Sequence, residues 1–123
     1  WLSGVVPVYL KRVFADDPIF KQVKIVVSLY DDAFPGELDR NFRTKIGHEG
    51  VKDKNLEILD SPSYENLCRF VMEYADGVVV GSAGADAVVV ELARRSGKPL
   101  LEYQSPEAED FFDNYNRFYE ALQ

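Results

Sequence analysis

Asp76-Gly77-Val78-Val79-Val80-Gly81-Ser82-Ala83-Gly84-Ala85-Asp86 is the stretch that decides the fold. Its valines make a short strand that is apolar on both faces. Such a strand belongs inside a parallel sheet covered by helices. Asp76-Gly77 stops the preceding element, and Gly81–Asp86 forms a glycine-bearing turn. Past the turn, Ala85, Val88, Val89, Leu92 and Ala93 recur at helical spacing and are expected to face inward.

The flanking segments repeat the alternation. Before the valines, residues 62–75 read as an amphipathic helix with Tyr64, Leu67, Cys68, Val71, Met72 and Ala75 on one stripe. Ser61 is the expected cap and Pro62 suits the first turn. After the glycine turn, Arg94 and Arg95 oppose the negative end of the helix dipole, and Gly97 and Pro99 end the helix. Leu100–Tyr103 is expected to be a third strand, and a last helix begins at Ser105-Pro106. Phe111, Phe112, Tyr115, Phe118, Tyr119 and Leu122 line that helix at helical spacing. An aromatic platform for sugars or bases would need these rings exposed, whereas the spacing predicts burial against the sheet.

Further upstream, Lys24–Leu29 reads as a strand rich in β-branched residues. The loop Tyr30-Asp31-Asp32-Ala33-Phe34-Pro35-Gly36 follows it, and then a short helix marked by Leu38, Phe42 and Ile46 that ends at Gly47. Residues 47–61 look irregular, and a helix over residues 2–14 either starts near Pro7 or kinks there. The order α-β-α-α-β-α-β-α implies crossover connections and a parallel sheet of about three strands. The fold class is therefore α/β, a Rossmann-like piece with a small parallel sheet flanked by helices. Residues 1–123 read as a single domain. An opening helix without a strand before it leads us to expect that the parent domain continues upstream of Trp1.

Composition narrows the function. The net charge of −7 over 123 residues disfavours phosphate backbones, so no nucleic-acid partner is expected. Arg40, Arg43, Lys45, Lys52 and Lys54 make a basic middle, read as a solvated face. No apolar run approaches the ~20 residues that cross a bilayer, so no membrane role is expected. The lone cysteine, Cys68, cannot form an internal disulfide and reads as a buried small hydrophobe in a cytoplasmic protein. His48, the lone histidine, receives no role.

Ligands of open parallel sheets bind beyond the carboxyl ends of the strands. Here those ends are Tyr30-Asp31-Asp32, Gly81-Ser82-Ala83-Gly84 and Tyr103-Gln104. Asp31 and Asp32 could hold a metal or divide acid and base roles, but adjacent strand residues point to opposite faces, and they read as turn-formers. The Gly81–Asp86 turn precedes a helix and could offer amides to a phosphate. It matches neither a P-loop nor the dinucleotide fingerprint, and a tight strand-to-helix turn explains it equally well. One His and one Cys cannot supply a zinc site or a catalytic triad.

Three segments carry a family resemblance. Trp1-Leu-Ser-Gly-Val-Val-Pro-Val-Tyr-Leu-Lys11 resembles the segment that follows the His-Asp-Trp motif of bacterial glycogen and starch synthases. Lys24-Ile-Val-Val-Ser-Leu-Tyr-Asp-Asp-Ala-Phe-Pro-Gly36 is similar to the family strand ending in Thr-Val-His-Asn, and Tyr74-Ala-Asp-Gly-Val-Val-Val-Gly-Ser82 to its Tyr-Ala-Asp segment. Residues 96–119 resemble the end of a short branch that stops after the amino-terminal domain. The resemblance implies half of the amino-terminal domain of a GT-B fold. It also implies glucosyl transfer from ADP-glucose to an α-1,4-glucan with retention and without a metal or other cofactor. It places Tyr30 at the family histidine, Asp31 at the asparagine and Ser82 at the serine. Tyr30, Asp31, Asp32, Gly36 and Ser82 are thus the expected substrate contacts. The family's glycine loop and catalytic aspartate would precede Trp1, so this chain alone is expected to be inactive. It would bind glucan or nucleotide sugar, with the missing half or a separate catalytic partner supplying the chemistry. A different reading is a receiver-like or other interaction module, for which Lys98-Pro99 would be the receiver's lysine-proline pair.

Overall fold

The computed structural model describes residues 3–47, 51 and 54–123, so Trp1, His48 and Lys52 lie outside the described residues. The chain divides into two compact units. One comprises Trp1–Val23 with Ala33–Tyr74, the other Lys24–Asp32 with Ala75–Gln123.

In the first unit, helix α1 (Val6–Val8) carries Pro7 in its first turn, where the missing N–H is not needed. Proline therefore starts this helix and does not kink it. A π-helical turn continues it over Tyr9–Val13, closed by the Phe14 amide on the Tyr9 carbonyl at 3.0 Å. The turn is tied down on three sides. The Tyr9 hydroxyl donates to the Ile46 carbonyl at 3.2 Å, Lys11 Nζ donates to the Val23 carbonyl at 3.1 Å, and the Arg12 guanidinium sits 5.2 Å from the Tyr74 ring centre. Helix α2 spans Phe42–Gly47 as expected.

Residues 54–60 are more regular than the sequence reading allowed. They form a 3-10 helix, Lys54–Asp60, that buries Leu56 and Leu59. Helix α3 (Tyr64–Tyr74) buries the predicted stripe together with Phe70, and Cys68 is a buried free thiol. Its cap is Ser63, not Ser61. The Ser63 hydroxyl accepts from the Asn66 amide at 3.2 Å, while the Ser61 hydroxyl is engaged by the Glu37 carboxylate. The basic middle is a solvated, paired face: Arg43 meets Asp60 at 2.7 Å and Lys45 meets Asp39 at 2.9 Å.

In the second unit, strands β1 (Val26–Leu29), β2 (Gly77–Val80) and β3 (Leu100–Leu101) form one parallel sheet in the order β1-β2-β3. Val26 lies opposite Gly77, Leu29 opposite Val80, and Val78 opposite Leu100. This is the α/β, Rossmann-like arrangement the alternation predicted. Central β2 is buried along its whole length, and each of its valines contributes about 1.5–3 kcal/mol by leaving water. β3 is shorter than the predicted strand, because the ladder stops at Leu101.

The start of the sheet is fixed by one carboxylate. Asp76 Oδ2 accepts the Ile25 amide at 2.8 Å, and the Asp76 amide donates back to the Ile25 carbonyl at 2.7 Å. Lys98 Nζ donates to the Ala75 carbonyl at 2.8 Å, at the same end of the strands.

Helix α4 spans Ala87–Arg95 and buries Val89, Val90 and Ala93. Val88, expected inward, is 55% exposed. Positions 89, 90 and 93 share the buried face, which leaves Val88 outside it. Gly97 follows at φ 73°, in the left-handed region that ends a helix.

Helix α5 spans Phe111–Ala121 and starts later than Ser105-Pro106, which form a turn closed by the Ala108 amide on the Ser105 carbonyl at 3.0 Å. The predicted burial of its aromatic stripe does not hold: no residue of α5 is buried, and only Leu122, which follows the helix, is. Gly77 admits Phe118 and Leu122, for a Cβ there would lie 2.9 Å from Phe118 Cζ and 3.0 Å from Leu122 Cδ1. Phe112, in contrast, is 75% exposed and Tyr119 44%. Phe111, Tyr115 and Phe118 lie between these extremes, half-buried along the helix.

Replacing Asp76 with Ala leaves the Ile25 amide without its side-chain acceptor. We expect the variant to lose roughly 1–3 kcal/mol in urea unfolding.

Candidate functional site

The carboxyl ends of β1, β2 and β3 bring together Tyr30-Asp31, Gly81–Asp86 and Tyr103-Gln104. The pairing register does the placing. Because Leu29 lies opposite Val80, and the Gly81 amide donates to the Leu29 carbonyl at 2.8 Å, Tyr30 emerges beside Gly81.

Both glycines of the turn serve close approach. A Cβ at Gly81 would lie 2.6 Å from Tyr30 Cε1, and a Cβ at Gly84 would lie 2.8 Å from Asp31 Oδ2. Neither has a positive φ, since among the described residues only Gly36 and Gly97 do. The tight strand-to-helix turn of the sequence reading is present, and its glycines are there for contact. Tyr30 keeps 54% of its surface exposed while its ring rests on Gly81.

The rest of the turn is self-contained. The Ser82 hydroxyl accepts the Gly84 amide at 3.1 Å and its carbonyl accepts the Ala85 amide at 3.2 Å. Asp86 Oδ1 accepts the Val88 amide at 2.9 Å and the Val89 amide at 3.1 Å, so the chain's own carboxylate occupies the α4 N-terminus. A phosphate arriving there would find those amides filled and a negative charge in its way.

At the third strand end, Arg94 forks onto Glu102, with Nε to Oε1 at 2.7 Å and Nη2 to Oε2 at 3.0 Å. The guanidinium hydrogen bond holds the Glu102 carboxyl below the usual glutamate range. Asn114 of α5 donates to Gln104 Oε1 at 2.8 Å, tying the helix to the loop after β3. Tyr115, one helical turn past Phe111, has its ring 4.8 Å from the Phe111 ring. Burial pushes the Tyr115 phenol above the usual tyrosine range, and the neighbouring phenols of Tyr30, Tyr119 and Tyr103 push the same way.

Of the expected contacts, Tyr30, Asp31 and Ser82 meet at these strand ends, and Asp32 is the exposed residue that follows them. Gly36 belongs to the other unit. There it holds φ 73° with nothing within 4 Å of a would-be Cβ, so conformation alone explains that glycine. The sequence reading missed Tyr115 as a neighbour of Tyr30. The hint was present: tyrosines at 115 and 119 carry hydroxyls that favour the rim over the interior.

Lys98 bonds the Ala75 carbonyl, before β2 begins, so it does not serve the strand ends as a receiver's lysine would. Among the described residues, no group of three or more His, Cys, Asp or Glu side chains could hold a metal ion, and no helix is long and apolar enough to cross a membrane.

The starch synthase catalytic domain family matches this sequence over residues 1–97. No curated protein and no solved structure matches it.

Two outcomes follow from this geometry. Gly81→Ala displaces the far edge of the Tyr30 ring. Since that ring is half exposed, we expect less than about 1 kcal/mol of destabilisation together with large shifts of the Tyr30 ring resonances. Arg94→Gln should return Glu102 to the ordinary glutamate range in an NMR pH titration. A depressed acid stabilises only while ionised. The pair's contribution, small for exposed groups, is therefore full at neutral pH and fades as pH falls through the lowered Glu102 value.

Proposed function

The chain belongs to the starch synthase catalytic domain family, a glycosyltransferase family, and from that premise we propose that its strand ends contact the acceptor in glucosyl transfer from ADP-glucose to an α-1,4-glucan. The observation that carries this reading is the seating of Tyr30 on Gly81 and of Asp31 against Gly84. Two residues with polar tips are thereby held at the place where open parallel sheets take their ligands.

The chemistry of these groups favours binding over proton transfer. The Tyr30 hydroxyl can donate or accept a hydrogen bond to a sugar hydroxyl. Asp31 offers carboxylate oxygens as acceptors for hydroxyl donors. With Asp86 filling the α4 N-terminus and a net charge of −7, donor phosphates are better held elsewhere. We therefore assign nucleotide-sugar binding and the chemical step to other segments of the parent protein or to a separate partner. This chain's share is the glucan. Cys68, a buried free thiol, is compatible with a cytoplasmic, reducing setting for that work.

The test is a transfer assay on the full parent protein with ADP-glucose and maltoheptaose. We expect glucosyl transfer, and a Tyr30→Ala variant with KM for maltoheptaose raised about tenfold, equivalent to about 1.4 kcal/mol, at unchanged KM for ADP-glucose. Absence of transfer with every nucleotide-glucose donor, with or without added partners, would overturn the transferase assignment. A Tyr30→Ala defect confined to ADP-glucose would overturn the acceptor role.

A further inference from the structure

Helix α5 and the loop after β3 lie beyond residues 1–97, the span the family matches, yet they bring further aromatic rings to the same strand ends. Helix α5 packs on β3, and Asn114 donates to Gln104 Oε1 at 2.8 Å, which sets Tyr115 of the helix beside the loop that bears Tyr103. Along the helix, the Tyr115 ring lies 4.8 Å from Phe111 and 6.3 Å from Tyr119. The rings are not sealed in a core: Tyr103 is 40% exposed, Tyr119 44% and Tyr30 54%. No residue of α5 is buried.

We propose that Tyr115 and Tyr119 of α5, with Tyr103 and Tyr30 at the strand ends, form a stacking surface for successive glucose rings of a neutral α-glucan. The polymer's identity rests on the acceptor reading given above. The surface itself rests on these rings.

Pyranose rings have an apolar face of C–H bonds and an equatorial rim of hydroxyls. Tyrosines at the edge of a sheet answer both, the ring to the face and the phenol to the rim. Charge selects against the other flat ligands. Asp110 and Asp113 lie at the start of α5, Arg117 is the sole cation in that helix, and Glu102 is paired with Arg94. Single-stranded nucleic acid needs a positive groove beneath its stacked bases, and these residues do not make one. The Asn114–Gln104 hydrogen bond holds the loop that bears Tyr103 against the helix that bears Tyr115. The rings are thus presented in a fixed relation instead of being ordered at the ligand's expense. Asn114 also donates to Asp110 Oδ2 at 2.9 Å, which directs its amide toward the loop.

The experiment is an NMR titration of the labelled full chain with maltoheptaose, with ADP-glucose and with an eight-residue oligothymidylate. We expect maltoheptaose to shift Tyr103, Gln104 and the Phe111–Tyr119 turns as well as Tyr30–Asp32. Tyr115→Leu and Tyr119→Leu should each weaken it about threefold to tenfold. Tyr115→Phe, which keeps the ring, should bind within a factor of about two, and Ile19→Ser, an exposed apolar residue of the other unit, should bind as the parent does. Shifts confined to Tyr30–Asp32 and Gly81–Asp86, with Tyr115→Leu binding normally, would overturn the stacking surface and leave the acceptor reading standing. Shifts nowhere at millimolar maltoheptaose would overturn both. Tighter binding of the oligothymidylate than of maltoheptaose would overturn the choice of a neutral sugar.

Discussion

The parallel pairing of β1 with β2 is the constraint on which the strand-end site depends. It is held at both ends. Before the strands, the Asp76 carboxylate takes the Ile25 amide; after them, the Gly81 amide takes the Leu29 carbonyl. Between those points Val26 to Leu29 run opposite Gly77 to Val80 in strict register. A slip of one residue would turn every side chain of β1 to the other face. It would also carry Tyr30 away from Gly81 and set it beside Val80 or Ser82, whose side chains fill the space the glycine leaves open. Register and site are therefore one fact seen at two scales.

Seen this way, the glycines of the β2–α4 turn belong to the packing of the site. A glycine is usually explained by the conformations it permits, and Gly36 and Gly97, both at φ 73°, answer to that explanation. Gly81 and Gly84 do not. Each is small because a side chain from the neighbouring strand end lies where a Cβ would be. The same device recurs at the other end of β2, where Gly77 admits Phe118 and Leu122 of α5. The β2 segment is thus bounded by glycines at both ends, one seating the helix and the others seating the candidate ligand contacts.

Much of this was legible in the sequence, and the reasons differ by element. β2 could be read because its three valines are bounded closely by Asp76-Gly77 and Gly81, a run too short for a helix, and it is buried throughout. α3 could be read because its stripe follows helical spacing over its whole length. Its cap could not, since Ser61 and Ser63 offer the same hydroxyl, and the choice was made by Glu37, 24 residues upstream, which engages Ser61. α4 was misread at Val88 because three consecutive valines cannot all face inward on a helix, and Val89 and Val90 are the two that do. The onset of α5 was misplaced because Ser105-Pro106 is as good a start for a turn as for a helix. Of the site, Tyr30, Asp31 and Ser82 were legible from where strands end. The approach of Tyr115 was not, because it depends on how α5 lies against the end of β3, and sequence periodicity says which face of a helix is apolar but not how far along its length it docks.

The partial docking of α5 leaves its row of rings half-sunk. The helix is anchored near its carboxyl end by Phe118 and Leu122 against Gly77, and near its start by the Asn114–Gln104 bond. Rings between those anchors cannot sink further without breaking one of them. Tyr115 is drawn in far enough for burial to raise its phenol, while Tyr119 stays nearly half exposed. A fully buried stripe would add stability and lose any ligand; a fully exposed one would be an apolar patch with no fixed geometry. At the end of β2 the Val88 and Val89 amides are taken by the Asp86 carboxylate, so the chain satisfies the start of α4 with its own side chain and no outside group is needed there.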